Sequence, residues 1–223
     1  MANAALQVVN LHVWYAQSHV LDGITLHAMP GEIIVLLGRK GSGRNMTLRA
    51  IFGEAAIYPE FTSEENLFLP TSEHDSLGGG MSLHQIYALC PPLAEVRQTL
   101  AGRLEAAQQR MLAIARVLRS GASMLLMDNI SENLEPDMRD AMAQLLDCLR
   151  DEGYAMILTE NTLDFAAGLA DRFYVLDQGR VIDSFTAGEL PTRRPLLHHL
   201  LCESRAGAQS PAPGSLRAAP SPR

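Results

Sequence analysis

Five consecutive apolar residues, Ile33-Ile34-Val35-Leu36-Leu37, run directly into Gly38-Arg39-Lys40-Gly41-Ser42-Gly43-Arg44-Asn45, and this junction restricts the possible folds more than any other stretch. A strand with no polar alternation has no face to give to water, so it is predicted to be covered on both sides, as in a parallel sheet between helices. Similar short runs return at Met124 to Met127, Ala155 to Leu158 and Phe173 to Leu176. Thr47 to Phe52, Gln108 to Leu118, Pro136 to Arg150 and Leu163 to Ala170 read as helices; Met111, Leu112, Ala115 and Leu118 fall on one helical face. Strands alternating with helices predict an α/β fold with a mostly parallel sheet flanked by helices. Ahead of this, Val20 to Leu26 alternates like a half-buried strand and leads to a turn at Met29-Pro30-Gly31-Glu32, together predicted as an edge hairpin. Asp177-Gln178-Gly179-Arg180 reads as a turn into Val181-Ile182.

A chain of 223 residues, 47% hydrophobic and 19% charged, is long enough for one principal folded domain, placed at 1–204. The remainder, 205–223, is rich in Pro, Ala, Ser and Gly and is predicted to be a disordered tail. A formal net charge of -7 with no Lys/Arg cluster excludes a nucleic-acid footprint. No apolar stretch is long enough to span a bilayer, and the N-terminus lacks a signal-peptide pattern, so a cytoplasmic chain without direct membrane insertion is expected. Cys90, Cys148 and Cys202 are widely spaced and are predicted to be small buried hydrophobes. His74, His84, His198 and His199 share no metal-ligand spacing and are predicted on the surface, and Gly78-Gly79-Gly80 marks a loop.

The glycines of the Gly38 to Asn45 segment let successive backbone N–H groups turn inward around an anion, and a helix starting behind them adds its positive end. A phosphate loop of this kind ordinarily closes with Lys and then Ser or Thr; here those places hold Arg44 and Asn45. Arginine is a larger, planar cation, and Asn45 is longer than a hydroxyl residue that would meet magnesium. The same residues also read, structurally, as a plain strand–turn–helix connection.

Further segments carry a resemblance. Val20-Leu21-Asp22-Gly23-Ile24 through Pro30-Gly31-Glu32-Ile33 to Leu48-Arg49-Ala50-Ile51, Tyr58-Pro59-Glu60-Phe61-Thr62-Ser63-Glu64-Glu65-Asn66-Leu67, Met111 to Arg116, and Ala170-Asp171-Arg172 with Gly179-Arg180 resemble the ATP subunits of branched-chain amino acid importers of the ATP-binding-cassette (ABC) family. The similarity covers nearly everything from Leu6 to about Leu201. It implies a P-loop NTPase fold with a helical subdomain at about 66–118, bound ATP and Mg2+, and two kinds of partner: membrane permease subunits and a homologous ABC ATP subunit.

Residue by residue, the resemblance implies that Tyr15 stacks on adenine, that Gly38, Arg39, Lys40, Gly41, Ser42, Gly43, Arg44, Asn45 and Met46 form the nucleotide site, and that Asp128, with Asn45, reaches magnesium. It also exposes departures. The place of the general base is Asn129, an amide that cannot accept a proton, and a lost general base costs about two to four orders of magnitude in rate. The switch position is Asn161. The signature Leu-Ser-Gly-Gly-Gln/Glu is replaced by Leu104-Glu105-Ala106-Ala107-Gln108, which puts a carboxylate where the partner's γ-phosphate would dock and is better suited to starting a helix. After Phe52-Gly53-Glu54 only Ala55-Ala56-Ile57 precede Tyr58, so the antiparallel subdomain and Q-loop strand are shortened, predicting a gap in the sheet.

The expectation is an ABC ATP subunit that binds ATP weakly and hydrolyses it poorly or not at all. A working transport ATPase completed by a partner subunit is the alternative, and a non-catalytic interaction module using the face around Thr71 to Leu104 is the third.

Overall fold

A computed structural model of the chain describes residues 4–15, 18–52, 57–69, 80–160 and 163–202. In order, the elements are β1 (Leu6–Tyr15), β2 (Ser18–Ala28), β3 (Ile33–Leu37), α1 (Arg44–Phe52), α2 (Ser63–Phe68), α3 (Leu83–Leu89), α4 (Pro91–Glu95), α5 (Ala106–Arg119), β4 (Met124–Asp128), α6 (Pro136–Asp151), β5 (Ala155–Thr159), α7 (Leu163–Leu169), β6 (Arg172–Asp177), β7 (Arg180–Thr186) and α8 (Leu190–Cys202). They fall into two compact units: Met1–Gly53, Leu126–Asn129 and Met156–Arg223 form one, and Glu54–Leu125 with Ile130–Ala155 the other.

The first unit contains most of a five-stranded sheet of order β4-β5-β3-β6-β7. β3 runs parallel to β5 on one side and β6 on the other, and β7 closes the edge antiparallel to β6. Every residue of β3 is buried, as its unbroken apolar run requires, whereas β7 alternates and keeps one face toward water. Asp171 fixes where β3 begins: its carboxylate accepts from Ile33 N at 2.8 Å and its own N–H donates to Ile33 O at 2.8 Å. Beside it, Arg172 Nε donates to Glu32 Oε1 at 2.9 Å, and Arg172 Nη1 lies 2.7 Å from the His27 ring.

Four sequence expectations are corrected here. The hairpin partner of β2 is β1, in a separate two-stranded sheet; the Met29–Glu32 turn instead carries the chain to another sheet. The sheet has no internal gap: its five described strands are contiguous and β4 stands at an edge, so any shortening falls at the margin. Cys148 is exposed on α6, while Cys90 is buried and its thiol is pushed up to about 12 by desolvation; Cys202's side chain lies outside the described residues. α1 also starts three residues before the predicted Thr47, which puts Arg44, Asn45 and Met46 in its first turn.

In the second unit, Met142, Leu145, Leu146 and Leu149 form the buried stripe of α6, with Pro136 fixing its first turn. The Tyr58 to Thr62 loop is closed by one residue, Asn66, which is fully buried on α2. Its Oδ1 accepts from Tyr58 N at 2.8 Å, and its Nδ2 reaches the carbonyls of Tyr58 at 2.9 Å and Thr62 at 3.0 Å. Arg116 of α5 donates to Asn66 O at 3.1 Å and lies over the Tyr58 ring at 4.8 Å. Asn66→Ala is expected to cost about 2–3 kcal/mol, because several buried backbone groups lose their partner together. A urea titration checks it, and a loss within about 0.5 kcal/mol, the range of an ordinary surface change, would remove Asn66 from this role.

Candidate functional site

The loop after β3 owes its shape to three glycines. Gly38, Gly41 and Gly43 have φ of 156°, 86° and 104°. A Cβ at Gly38 would stand 2.4 Å from both Leu176 O and Ser42 Oγ, and one at Gly43 2.8 Å from Leu21 Cδ2. Ser42 N donates to Arg39 O at 3.0 Å, and Thr47 anchors the start of α1 through its N–H and Oγ1, at 2.8 and 2.9 Å from Gly43 O. From behind, Gly179 clamps the loop: its N–H donates to Ser42 O at 2.9 Å, and its carbonyl accepts from Asp22 N at 2.8 Å. Arg39 pairs with Asp177 at 3.5 Å. The result is a glycine turn opening onto a helix start, the arrangement that receives anions. Ser42 Oγ is buried there without a hydrogen-bond partner, which fits an oxyanion visitor.

The charged and metal-binding positions are arranged differently. Arg44 is only 5% exposed and donates through Nη1 to the carbonyl of Glu160. Burial lowers its pKa, opposed by the nearby carboxylates of Asp128 and Glu160. Asn45 presents its amide hydrogens to Asp128, with Nδ2 2.6 Å from Oδ2, and the other Asp128 oxygen accepts from Thr159 Oγ1. Both oxygens of the only described carboxylate aligned with magnesium therefore already hold protein donors, and Asn45 turns a donor, not an oxygen, toward the site.

Asn129 adopts φ 46°, a left-handed backbone that asparagine tolerates better than most residues. Its N–H donates to Thr159 O at 2.9 Å, and its Oδ1 is buried without a partner. Met46 is half-buried in the first turn of α1, and Lys40 is exposed at the loop tip. Tyr15 ends β1 opposite Ser18, but its side chain, like all of Asn161, lies outside the described residues. Glu160, buried beside Arg44, was not identified from the sequence; the signal was a carboxylate just after the apolar run Ala155 to Leu158 of the fully buried β5, which must find a cation or a proton.

Leu104 to Gln108 belong to the second unit and start α5. Glu105 is its N-cap, with its N–H donating to Gln108 Oε1 at 3.1 Å, and Gln109 Nε2 reaches Leu104 O at 3.1 Å. Leu104 and Ala107 are buried, whereas Glu105 and Ala106 are exposed.

No protein-family profile matches the chain. It is 28% identical over 213 residues to the high-affinity branched-chain amino acid transport ATP-binding protein BraG of Pseudomonas aeruginosa, covering 80% of this chain and 91% of that one. It is also 28% identical over 220 residues to the Nod factor export ATP-binding protein I of Paraburkholderia xenovorans, covering 82% and 71%. Among solved structures, a nucleotide-free ATP-binding cassette from an ABC transporter superposes with a TM-score of 0.73 at 16% identity, covering 89% of this chain and 98% of that one. The chain therefore has the ABC ATPase P-loop fold and is related to ABC transporter ATP-binding subunits, those of amino acid importers among them. No helix among the described residues is long and apolar enough to cross a membrane.

Proposed function

We propose that the chain is a degenerate ATP-binding subunit descended from a branched-chain amino acid importer, which holds nucleotide phosphate weakly and hydrolyses ATP poorly or not at all. The observation that carries this reading is the direct bond from Asn45 to Asp128, made where an active subunit would seat its magnesium ion. With Arg44 turned to Glu160, the loop offers phosphate chiefly the N–H groups of its glycine turn and the start of α1. Asn129 supplies no base, and Glu105 caps α5 in place of a phosphate-facing serine. The remaining proposals follow from the resemblance: Tyr15 beneath adenine, Asn161 at the switch, permease subunits and a homologous ATP subunit as partners, and a place at the inner face of the membrane.

Nucleotide titration of the pure protein, with magnesium and with EDTA, tests the reading. ATP is expected to bind with an affinity that magnesium changes by less than about threefold, under 1 kcal/mol, and without phosphate release. Magnesium-dependent turnover that Asp128→Ala abolishes would overturn it in favour of a working ATPase. A complete lack of nucleotide binding would leave only the interaction role, which capture by a permease subunit would then have to support. Asn129→Glu alone should not restore turnover, because the Asn45–Asp128 bond remains.

A further inference from the structure

On the β1–β2 hairpin, three side chains that share no motif spacing converge. His12 Nδ1 lies 3.1 Å from His19 Nε2 and 3.4 Å from Asp22 Oδ1, and His19 Nε2 lies 3.9 Å from the same carboxylate oxygen. We propose that His12, His19 and Asp22 bind a divalent transition-metal ion of the zinc class, with the fourth position open to water.

Geometry favours this reading. Ligands about 2.0–2.2 Å from a tetrahedral zinc stand about 3.3–3.6 Å from one another, so the three donor atoms already approximate one face of that tetrahedron. The strand register brings them together. His19 and Leu21 are two residues apart and would share a face of a regular strand, yet Leu21 is buried and His19 exposed. Register shifts between Leu11 and Val13 and between Val13 and Trp14 turn Asp22 to the outer side with both rings.

The surrounding groups prepare the donors. Asn10 Oδ1, which only accepts, lies 3.1 Å from His12 Nε2, so the His12 proton sits there and Nδ1 offers its lone pair to the site. Arg180 holds Asp22 Oδ2 and leaves Oδ1 to face the imidazoles. The tautomer of His19 that serves the ion carries its proton on Nδ1 and leaves the Nε2 lone pair for the site. Two neutral imidazoles and one carboxylate already shared with arginine suit zinc, cobalt or copper and disfavour calcium and magnesium, which require oxygen-rich cages.

Trp14 provides the readout. It is the chain's one tryptophan, and its ring stacks on His19 with centroids 4.4 Å apart and planes within 6°. Zinc titrated into the full chain without a polyhistidine tag is expected to bind one ion by calorimetry and to change Trp14 emission saturably. Cobalt in its place should give the strong visible absorption of a four-coordinate ion, and calcium should do nothing. His12→Gln and Asp22→Asn should each weaken zinc by at least about tenfold, and Asn10→Gly, which suits the φ of 54°, by about tenfold. His198→Gln should leave binding intact. Should His12→Gln fail to fold, Asp22→Asn, which keeps both rings, carries the test. Unsaturable binding to the parent protein, or undiminished binding to Asp22→Asn and His12→Gln, would leave only a hydrogen-bonded imidazole pair and overturn the proposal. Neither result depends on nucleotide, so this site and the ATP reading fail separately.

Discussion

Gly179→Ala is expected to remove about 2–5 kcal/mol of stability and to shift the urea midpoint accordingly, with the slope unchanged. Two independent costs add. Gly179 has φ 76°, where an alanine loses about 1–2 kcal/mol. Its Cβ would also lie 2.0 Å from the carbonyl oxygen of Val20 and 2.9 Å from its carbon. Those are backbone atoms of β2, so no rotamer change relieves the clash, and forced overpacking costs about 1–3 kcal/mol more. Against a typical domain stability of about 5–15 kcal/mol the loss is a large fraction. It also reaches the loop, because Gly179 N–H holds Ser42 O, and a displaced Gly179 loosens the back of the anion cradle. Gly168→Ala is the control: a Cβ there meets nothing within 4 Å and it lies within α7, so it should be neutral or stabilise by up to about 1 kcal/mol. Equal midpoints for the two variants would refute the clamp.

The central strands were readable because Ile33–Leu37, Met124–Met127, Ala155–Leu158 and Phe173–Leu176 are short apolar runs bounded by turns, a pattern few other structures accommodate. β1 was harder to place. Its polar residues do not alternate cleanly because three register shifts interrupt the ladder, and the same shifts that hide the strand bring His12, His19 and Asp22 together. The replaced motif positions were visible as residue types, but what the replacements do was not. That Asn45 bonds Asp128 depends on a contact across 83 positions, and that Arg44 turns to Glu160 on one across 116, neither of which leaves a periodic trace. Asn66 illustrates the same limit: it appeared within a family-like segment, but its closure of the Tyr58 loop is a property of the fold.

The second large effect concerns the cation that replaced the phosphate-loop lysine. Arg44→Met is expected to cost about 3–5 kcal/mol, because it removes a guanidinium buried beside Asp128 and Glu160 and leaves carboxylate charge less compensated. Glu160→Gln should cost less, since an amide keeps most of the side chain's hydrogen-bonding capacity. In the double variant the losses should fall short of their sum by about 0.5–3 kcal/mol, the range for residues in one network. The cycle can be read from urea midpoints, and additive losses would show that the two side chains do not interact. Nucleotide affinity separates structure from function at the same position. A lysine serving phosphate would take most of the binding with it when removed, but a guanidinium held by the chain's own carbonyl and carboxylates has little left to give. Arg44→Met should therefore leave ATP affinity within about threefold, under 1 kcal/mol, while stability falls by several. If affinity collapsed instead, Arg44 would be reaching the nucleotide, and the loop would be a working phosphate site with arginine in the lysine's place.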